Sequence, residues 1–161
     1  MNSSSQDLEE NWHNADGTQC DFSEVVEQLK KYVDLGGVIY VGSDSMLGSL
    51  SCTFAITICM HMNHGEVANY YFKKFKADKQ HYVDLRTKIT EEINIAINTA
   101  LNIKEKFPNA HIEVHADVGK TKRSRTRDFV DFIRGWVTGV GFVCKIKPES
   151  WASSIADWHT K

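Results

Sequence analysis

The chain lacks most of the features that would place it in a specialised class. Its four cysteines, Cys20, Cys52, Cys59 and Cys144, are scattered, and no two form a CxxC pair. That spacing argues against a zinc ribbon or a thioredoxin-type site. Cys52 and Cys59 fall in a strand-like run, where a thiol serves as a small apolar side chain. No apolar run is long enough to span a bilayer and no secretory leader is evident, so a reducing cytoplasm is the expected setting. Neither sign of charge dominates: 19 Lys and Arg stand against 21 Asp and Glu, for a formal net charge of -2. A general nucleic-acid coat is basic overall, so nucleic-acid contact here requires a local patch. There is no internal repeat. What remains is ordinary soluble composition, 42% hydrophobic and 25% charged over 161 residues, enough for one domain with a core.

Residues 1–20 are polar and aperiodic and read as a flexible tail, with Trp12 as its one anchor. A domain over 21–161 follows. Asp21 and Glu24 have capping-box spacing, and Val25, Val26, Leu29 and Val33 make one helical stripe that Gly36-Gly37 ends. Strands are expected over 38–43, 51–62 and 66–75, with Asn63-His64-Gly65 as the turn between the last two. A long helix over 82–107 carries Leu85, Ile89, Ile93, Ala96, Ile97, Ala100 and Ile103 on one face, and Pro108 breaks it. A strand over 111–117, a helix over 125–140, a strand over 142–147 and a helix over 149–159 complete the chain. In the second of these helices Phe129, Phe132, Ile133, Trp136, Val137 and Val140 are expected inward, with Gly135 and Gly139 permitting close packing. Three antiparallel strands followed by alternating helix and strand imply an α/β domain on a mixed five-stranded sheet.

Four acids stand at comparable places in that scheme. Asp44 ends the first strand, Asp117 ends the fourth, and Asp157 lies in the last helix. The long helix offers Glu91 and Glu92. At about 100° per residue, Glu92 falls roughly 60° from the centre of the apolar stripe and Glu91 roughly 160° from it. Glu92 therefore borders the packed face and Glu91 faces water. If the first and fourth strands lie parallel and adjacent, their carboxyl ends coincide where ligand sites commonly form. Gathered carboxylates raise one another's pKa. All-oxygen donors favour Mg²⁺ or Mn²⁺, and two such ions roughly 3.5–4 Å apart serve phosphodiester hydrolysis. The competing reading makes Asp44 and Asp117 turn caps and Asp157 a surface residue.

The segments GSDS (42–45), Leu85-Arg86 with Glu92, IEVHADVG (112–119), RSR (123–125) and KPESWASSIAD (147–157) resemble the ribonuclease-H-like superfamily, most closely its YkuK-type family. The resemblance covers about 36–159, and the last segment is its most specific part. It implies a ribonuclease H-like fold with helices on both faces of the sheet, and a divalent-metal-dependent nuclease acting on RNA, DNA or their hybrid. Asp44 looks like the first-strand aspartate, Glu92 like the helix glutamate, Asp117 like the fourth-strand aspartate and Asp157 like the aspartate of the last helix. Together they would hold two Mg²⁺ or Mn²⁺ ions. Ribonucleases H proper carry a histidine in the loop before the last helix; here 145–150 reads KIKPES. The alternative on the same fold is a nucleic-acid-binding module without turnover, and a third reading is a protein-interaction domain that recruits its partner through the tail.

Lys120, Lys122, Arg123, Arg125 and Arg127 crowd the stretch after Asp117. They read as a phosphate-gripping loop, or else as a solvated surface. Lys147 is a further candidate phosphate contact. Ser150, with Ser153 and Ser154, either orients Asp157 or touches a phosphate, or else caps and packs the last helix. His115 is a structural histidine or a support for the acids, and His159 a substitute for the absent loop histidine or a packing residue. Trp151 is the best candidate for stacking on a base.

Overall fold

The computed structural model describes residues 10–61, 67–119 and 127–160. The first described elements are two short strands, β1 (Trp12–Asn14) and β2 (Gln19–Cys20), paired antiparallel. Residues 12–14 and 19–20, expected in a flexible tail, are therefore part of the sheet. Trp12 is fully buried and tilts against Phe22 at 5.8 Å, which is enough apolar area to hold an otherwise polar segment on the sheet.

Helix α1 (Phe22–Asp34) begins where Asp21 accepts from the Glu24 amide at 3.0 Å. It buries Phe22, Val25 and Leu29 and closes at Gly36, whose φ of +76° suits a residue without Cβ. The meander β3 (Val38–Leu47), β4 (Ser51–His61) and β5 (Val67–Asp78) follows. A 3-10 turn, Lys79–Tyr82, leads to α2 (Leu85–Lys106), capped by Asp84, which accepts from the Thr87 amide at 3.2 Å. Then come β6 (His111–His115), a 3-10 turn at Arg127–Phe129, α3 (Val130–Gly139), β7 (Val143–Lys145) and α4 (Trp151–Thr160).

The sheet has seven strands in the order β2-β1-β5-β4-β3-β6-β7, not five. The two additional strands are β1 and β2, with β1 adding to the edge of β5. The expected core of the sheet is otherwise present: β3, β4 and β5 run antiparallel, and β3–β6 and β6–β7 run parallel.

Alternation along the strands divides the interior in two. Ile39, Val41, Ile112 and Val114 join α1, α2 and α3 in the main core. Tyr40, Cys59 and Tyr70 meet Ala152, Trp151 and Ile155 of α4 in a smaller one. Helices thus lie on both faces, with α4 alone on its own. Each fully buried Ile or Leu side chain stabilises the fold by roughly 1.5–3 kcal/mol.

Two packing expectations fail in α3. Phe132 is exposed rather than inward. An added Cβ at Gly135 or Gly139 would meet nothing within 4 Å, so neither glycine permits a close approach. The Asn63-His64-Gly65 turn lies outside the described residues.

Candidate active site

β3 runs four residues past its expected end, because β4 keeps pairing with it to Leu47↔Cys52 while β6 stops at Gly42↔His115. Asp44 is therefore inside a strand, opposite Ala55 on one side and beyond the last pair with β6 on the other. The parallel register, carried two residues on, sets Asp44 level with Asp117. The reading of Asp44 as a turn cap is not what the structure shows.

Asp44 is buried, at 7% exposure. Burial, then the Glu92 and Asp117 charges, then a hydrogen bond with the Asp157 carboxyl push its pKa up to about 8; the Ser45 backbone opposes this. An acid so placed holds a proton at neutral pH, and that proton is what two carboxyl groups need to share a hydrogen bond. Asp44, Glu92, Asp117 and Asp157 therefore act on one another electrostatically, although they come from β3, α2, the segment after β6, and α4.

Glu92 is also buried, at 3% exposure, as its place on the border of the apolar stripe implies. Glu91 is half-buried, not fully in water. Three contacts fix Glu92. The Ser43 hydroxyl donates to its backbone carbonyl at 2.6 Å, the Ser45 hydroxyl donates to its Oε1, and Lys88, one turn earlier, donates to the same oxygen at 3.4 Å. Burial raises the Glu92 pKa to about 7 against the pull of Lys88 and Ser45. Lys88 also donates to the Ser45 carbonyl at 3.1 Å and to the Ser45 hydroxyl at 2.9 Å.

Asp117 faces Lys147, whose Nζ lies 3.1 Å from Oδ1. Lys147, expected at a phosphate, is thus paired with one of the acids. The pairing follows from backbone bonds that tie the two segments together: the Ala116 amide donates to the Lys145 carbonyl and the Lys147 amide to the Val118 carbonyl, each at 2.9 Å.

α4 is held by its first turn. The Ala152 amide donates to His115 Nδ1 at 3.1 Å, and its carbonyl accepts from Thr57 at 2.8 Å. His115 is fully buried, with Nε2 3.3 Å from Glu113, and burial lowers its pKa. A neutral ring donates to Glu113 and accepts from Ala152, so His115 positions the helix that carries Asp157. Ser150 is buried, and its backbone carbonyl accepts from the Ser153 hydroxyl at 2.6 Å. Trp151 packs on Tyr40 at 4.6 Å and His115 at 5.3 Å, so its ring is engaged within the protein. His159 stacks on Phe72 at 3.6 Å and meets the Tyr70 hydroxyl at 3.2 Å, which gives it a packing role on β5. Lys120, Lys122, Arg123 and Arg125 lie outside the described residues, as does the side chain of Arg127.

Carboxylate oxygens suit hard divalent cations. Yet among the described residues no group of three or more His, Cys, Asp or Glu side chains is arranged to hold a metal ion. Glu92 is turned to Lys88 and Ser45, Asp117 to Lys147, and Asp44 to Asp157. The donor chemistry fits Mg²⁺ or Mn²⁺; the arrangement is not a ready two-ion cradle.

The two raised pKa values predict how the metal-free fold responds to pH. Asp44 and Glu92 titrate near 8 and 7 in the folded chain, above their ordinary values of 3.8 and 4.5. Between those limits the folded state binds more protons than the unfolded one, so stability falls as pH rises, by up to about 1.4 kcal/mol per pH unit for each proton. His115 works the other way, but only below its ordinary 6.5. Denaturant unfolding in EDTA should therefore show stability decreasing between pH 6.5 and 8. A flat or rising profile there means that Asp44 is not held protonated.

A mixed sheet in this order, with an antiparallel meander, two parallel strands and helices on both faces, has the architecture of a ribonuclease H-like protein. The chain matches the Ribonuclease H-like family over residues 22–161 and belongs to it. It is 28% identical to the uncharacterized protein YkuK of Bacillus subtilis (strain 168), an alignment covering 93% of this chain and 96% of that protein. This membership supports a nucleic-acid-related role. No described helix is long and apolar enough to cross a membrane.

Proposed function

We propose that the protein is a divalent-metal-dependent phosphodiesterase acting on nucleic acid, with its reactive centre at Asp44. One observation supports this most directly: a buried strand aspartate is level with Asp117, bonded to Asp157 and within the field of Glu92. A fold has no structural use for four acids at one place, since each raises the cost of ionising the others. Bound Mg²⁺ or Mn²⁺ would supply the neutralising charge and polarise a phosphodiester. Asp44, Glu92, Asp117 and Asp157 are the residues to hold it. Lys147 sits on a half-exposed stem beside Asp117 and is placed to leave that carboxylate for a phosphate. Lys120, Lys122, Arg123 and Arg125 supply further cations for the nucleic-acid backbone, each phosphate contact adding roughly 0.7–0.9 to the salt slope of binding.

A second reading, a nucleic-acid-binding module without turnover, is favoured by the lysines that already occupy Glu92 and Asp117. Two measurements separate the readings. At 100 times its dissociation constant, Mn²⁺ should add about 2.7 kcal/mol of stability, raising the melting temperature by roughly 5–10 °C for a chain of this size. RNA, DNA and hybrid substrates should then be cut with Mg²⁺ or Mn²⁺ and not with EDTA. Salt-sensitive binding with no cleavage under either ion, and no melting shift, leaves the binding module.

A further inference from the structure

Two lysines contact the acids, and both are engaged there: Lys88 donates to Ser45 and Glu92, and Lys147 faces Asp117. A phosphodiester approaching this centre meets four carboxyl groups. It needs further fixed cations within about a Debye length, roughly 8–10 Å, to offset them. The register of the sheet shows where such cations stand. On the face that carries α4, one cross-strand row is Gly42–Thr57–Phe72, and α4 covers it from end to end. Ala152 lies against Gly42 and Thr57, and His159 lies on Phe72. The next row is Asp44–Ala55–Lys74, and the one after it is Met46–Thr53–Lys76. Ala55 is buried, but Met46 is 44% exposed and both lysines are exposed. Beyond α4 the sheet therefore keeps an open strip that starts at Asp44 and ends at Lys74 and Lys76.

We propose that Lys74 and Lys76 form a phosphate-binding track for nucleic acid, holding the backbone of a strand that crosses the open face of β3, β4 and β5 to reach Asp44. This rests on the nucleic-acid reading above and names where the strand lies. Side chains directly opposite one another in an antiparallel pair are about 5 Å apart. Two such steps set Lys74 about 10 Å from Asp44, close enough for one nucleic-acid strand to touch both. Along β5 the two lysines are about 6.6–6.8 Å apart, so each ammonium can hold its own phosphate. Among the described residues neither lysine forms an ion pair. Asp78, the next residue on that face of β5, accepts from the Gln80 amide and lies 3.9 Å from His81. An exposed ammonium without a carboxylate partner is available to phosphate oxygen, and contacts of that kind fix register without reading sequence. Met46 and Thr53 lie between the lysines and the far edge of β3 and carry no charge, so nothing on the strip repels a backbone before it reaches the acids.

The test is binding of labelled single-stranded RNA and DNA to the full chain in EDTA, where no cleavage intervenes, read by fluorescence anisotropy over about 50–200 mM salt. Each lost single-strand contact removes about 0.7 from the slope of log affinity against log salt. Lys74→Gln/Lys76→Gln should therefore flatten that slope by about 1.4 and weaken binding by more than about 10-fold at about 0.1 M salt. Lys74→Arg/Lys76→Arg should restore both. Lys31→Gln/Lys106→Gln removes the same charge from exposed lysines of α1 and α2, on the other face, and should leave the slope as it is in wild type. A wild-type slope and affinity in Lys74→Gln/Lys76→Gln, or an equal loss in the Lys31 and Lys106 control, overturns the track while leaving the nucleic-acid reading standing. Poly-glutamate bound as tightly as the oligonucleotides reassigns the strip to acidic polypeptides and overturns the track as well. No salt-sensitive binding of RNA or DNA by wild type overturns the nucleic-acid reading, and this inference with it.

Discussion

Asp44→Asn should eliminate cleavage and, in the same protein, raise the stability of the metal-free fold. The two effects have one origin. Asp44 is 7% exposed and its pKa is pushed up to about 8, so folding at neutral pH forces an acid that ionises freely in the unfolded chain to take up a proton. Asparagine has nearly the same shape and no charge. Its amide still donates to Asp157, replacing the protonated carboxyl. The expected gain is on the order of 1–3 kcal/mol at pH 7–8, with each kcal/mol worth about 2–4 °C in melting temperature. The gain should shrink towards pH 4, where both proteins carry a neutral group at this position. An amide is a poor ligand for a hard cation beside three acids, so the Mn²⁺-induced melting shift should disappear as well. Cleavage should fall by more than about 100-fold, beyond what loss of a residue merely supporting a ligand produces. A variant that is less stable than wild type would show that Asp44 is a structural residue. A variant that is more stable and fully active would place the chemistry elsewhere.

The acids are legible in the sequence because each stands where packing alone would not put it. Asp44 interrupts a strand that is otherwise apolar or small, and Asp117 follows the end of β6 by two residues, so each breaks a local rule that packing alone would keep. The parallel pairing of β3 with β6 then makes them level with one another. Glu92 was separated from Glu91 by helical angle alone, because α2 is long and its stripe regular. Lys88 was legible in the same way, four residues before Glu92, but an i,i+4 Glu–Lys pair is common on solvated helix faces and only burial gives this one meaning. Lys147 was read as a phosphate contact because nothing local shows the backbone bonds that bring 145–147 beside 116–118. The β1–β2 hairpin was missed for a different reason. Its buried anchors, Trp12 and Cys20, stand far apart in a polar stretch, and isolated anchors leave no periodic pattern. Phe132 was assigned inward by angle, yet α3 is ten residues long and its buried side chains are Val130, Ile133 and Val137. A helix that short buries a narrower stripe than its sequence offers.

Gly42 is the residue whose importance the sequence conceals most, and Gly42→Ala should damage the protein more than any other single methyl group considered. A Cβ there would lie 2.4 Å from the Ala152 carbonyl carbon, 2.4 Å from the Ser153 amide nitrogen and 2.7 Å from the Ala152 oxygen. All three are backbone atoms of the first turn of α4, so no side chain can swing aside to make room. The helix must move, and Ala152 is the residue that ties it down. Its carbonyl accepts from Thr57 on β4 and its amide donates to His115 on β6. Lifting α4 off β3 stretches both bonds, leaving the Thr57 hydroxyl only the Gly42 carbonyl at 3.3 Å and the His115 ring only Glu113, with His115 Nδ1 unsatisfied at a cost of about 1–3 kcal/mol. Overpacking itself costs about 1–3 kcal/mol. We expect a loss of roughly 3–5 kcal/mol, or a melting temperature about 6–20 °C lower. Five residues after Ala152, Asp157 moves with the helix, so the Mn²⁺-induced melting shift should weaken even at temperatures where the variant is folded. Gly135→Ala is the matched control. An added Cβ at Gly135, in α3, meets nothing within 4 Å, and alanine there should stabilise by roughly 0.5–1 kcal/mol. Opposite signs for the same methyl addition would establish that α4 rests on β3 through Gly42. If Gly42→Ala melts within a degree of wild type and binds Mn²⁺ as well, α4 is not seated as described, and Asp157 does not owe its position to that contact.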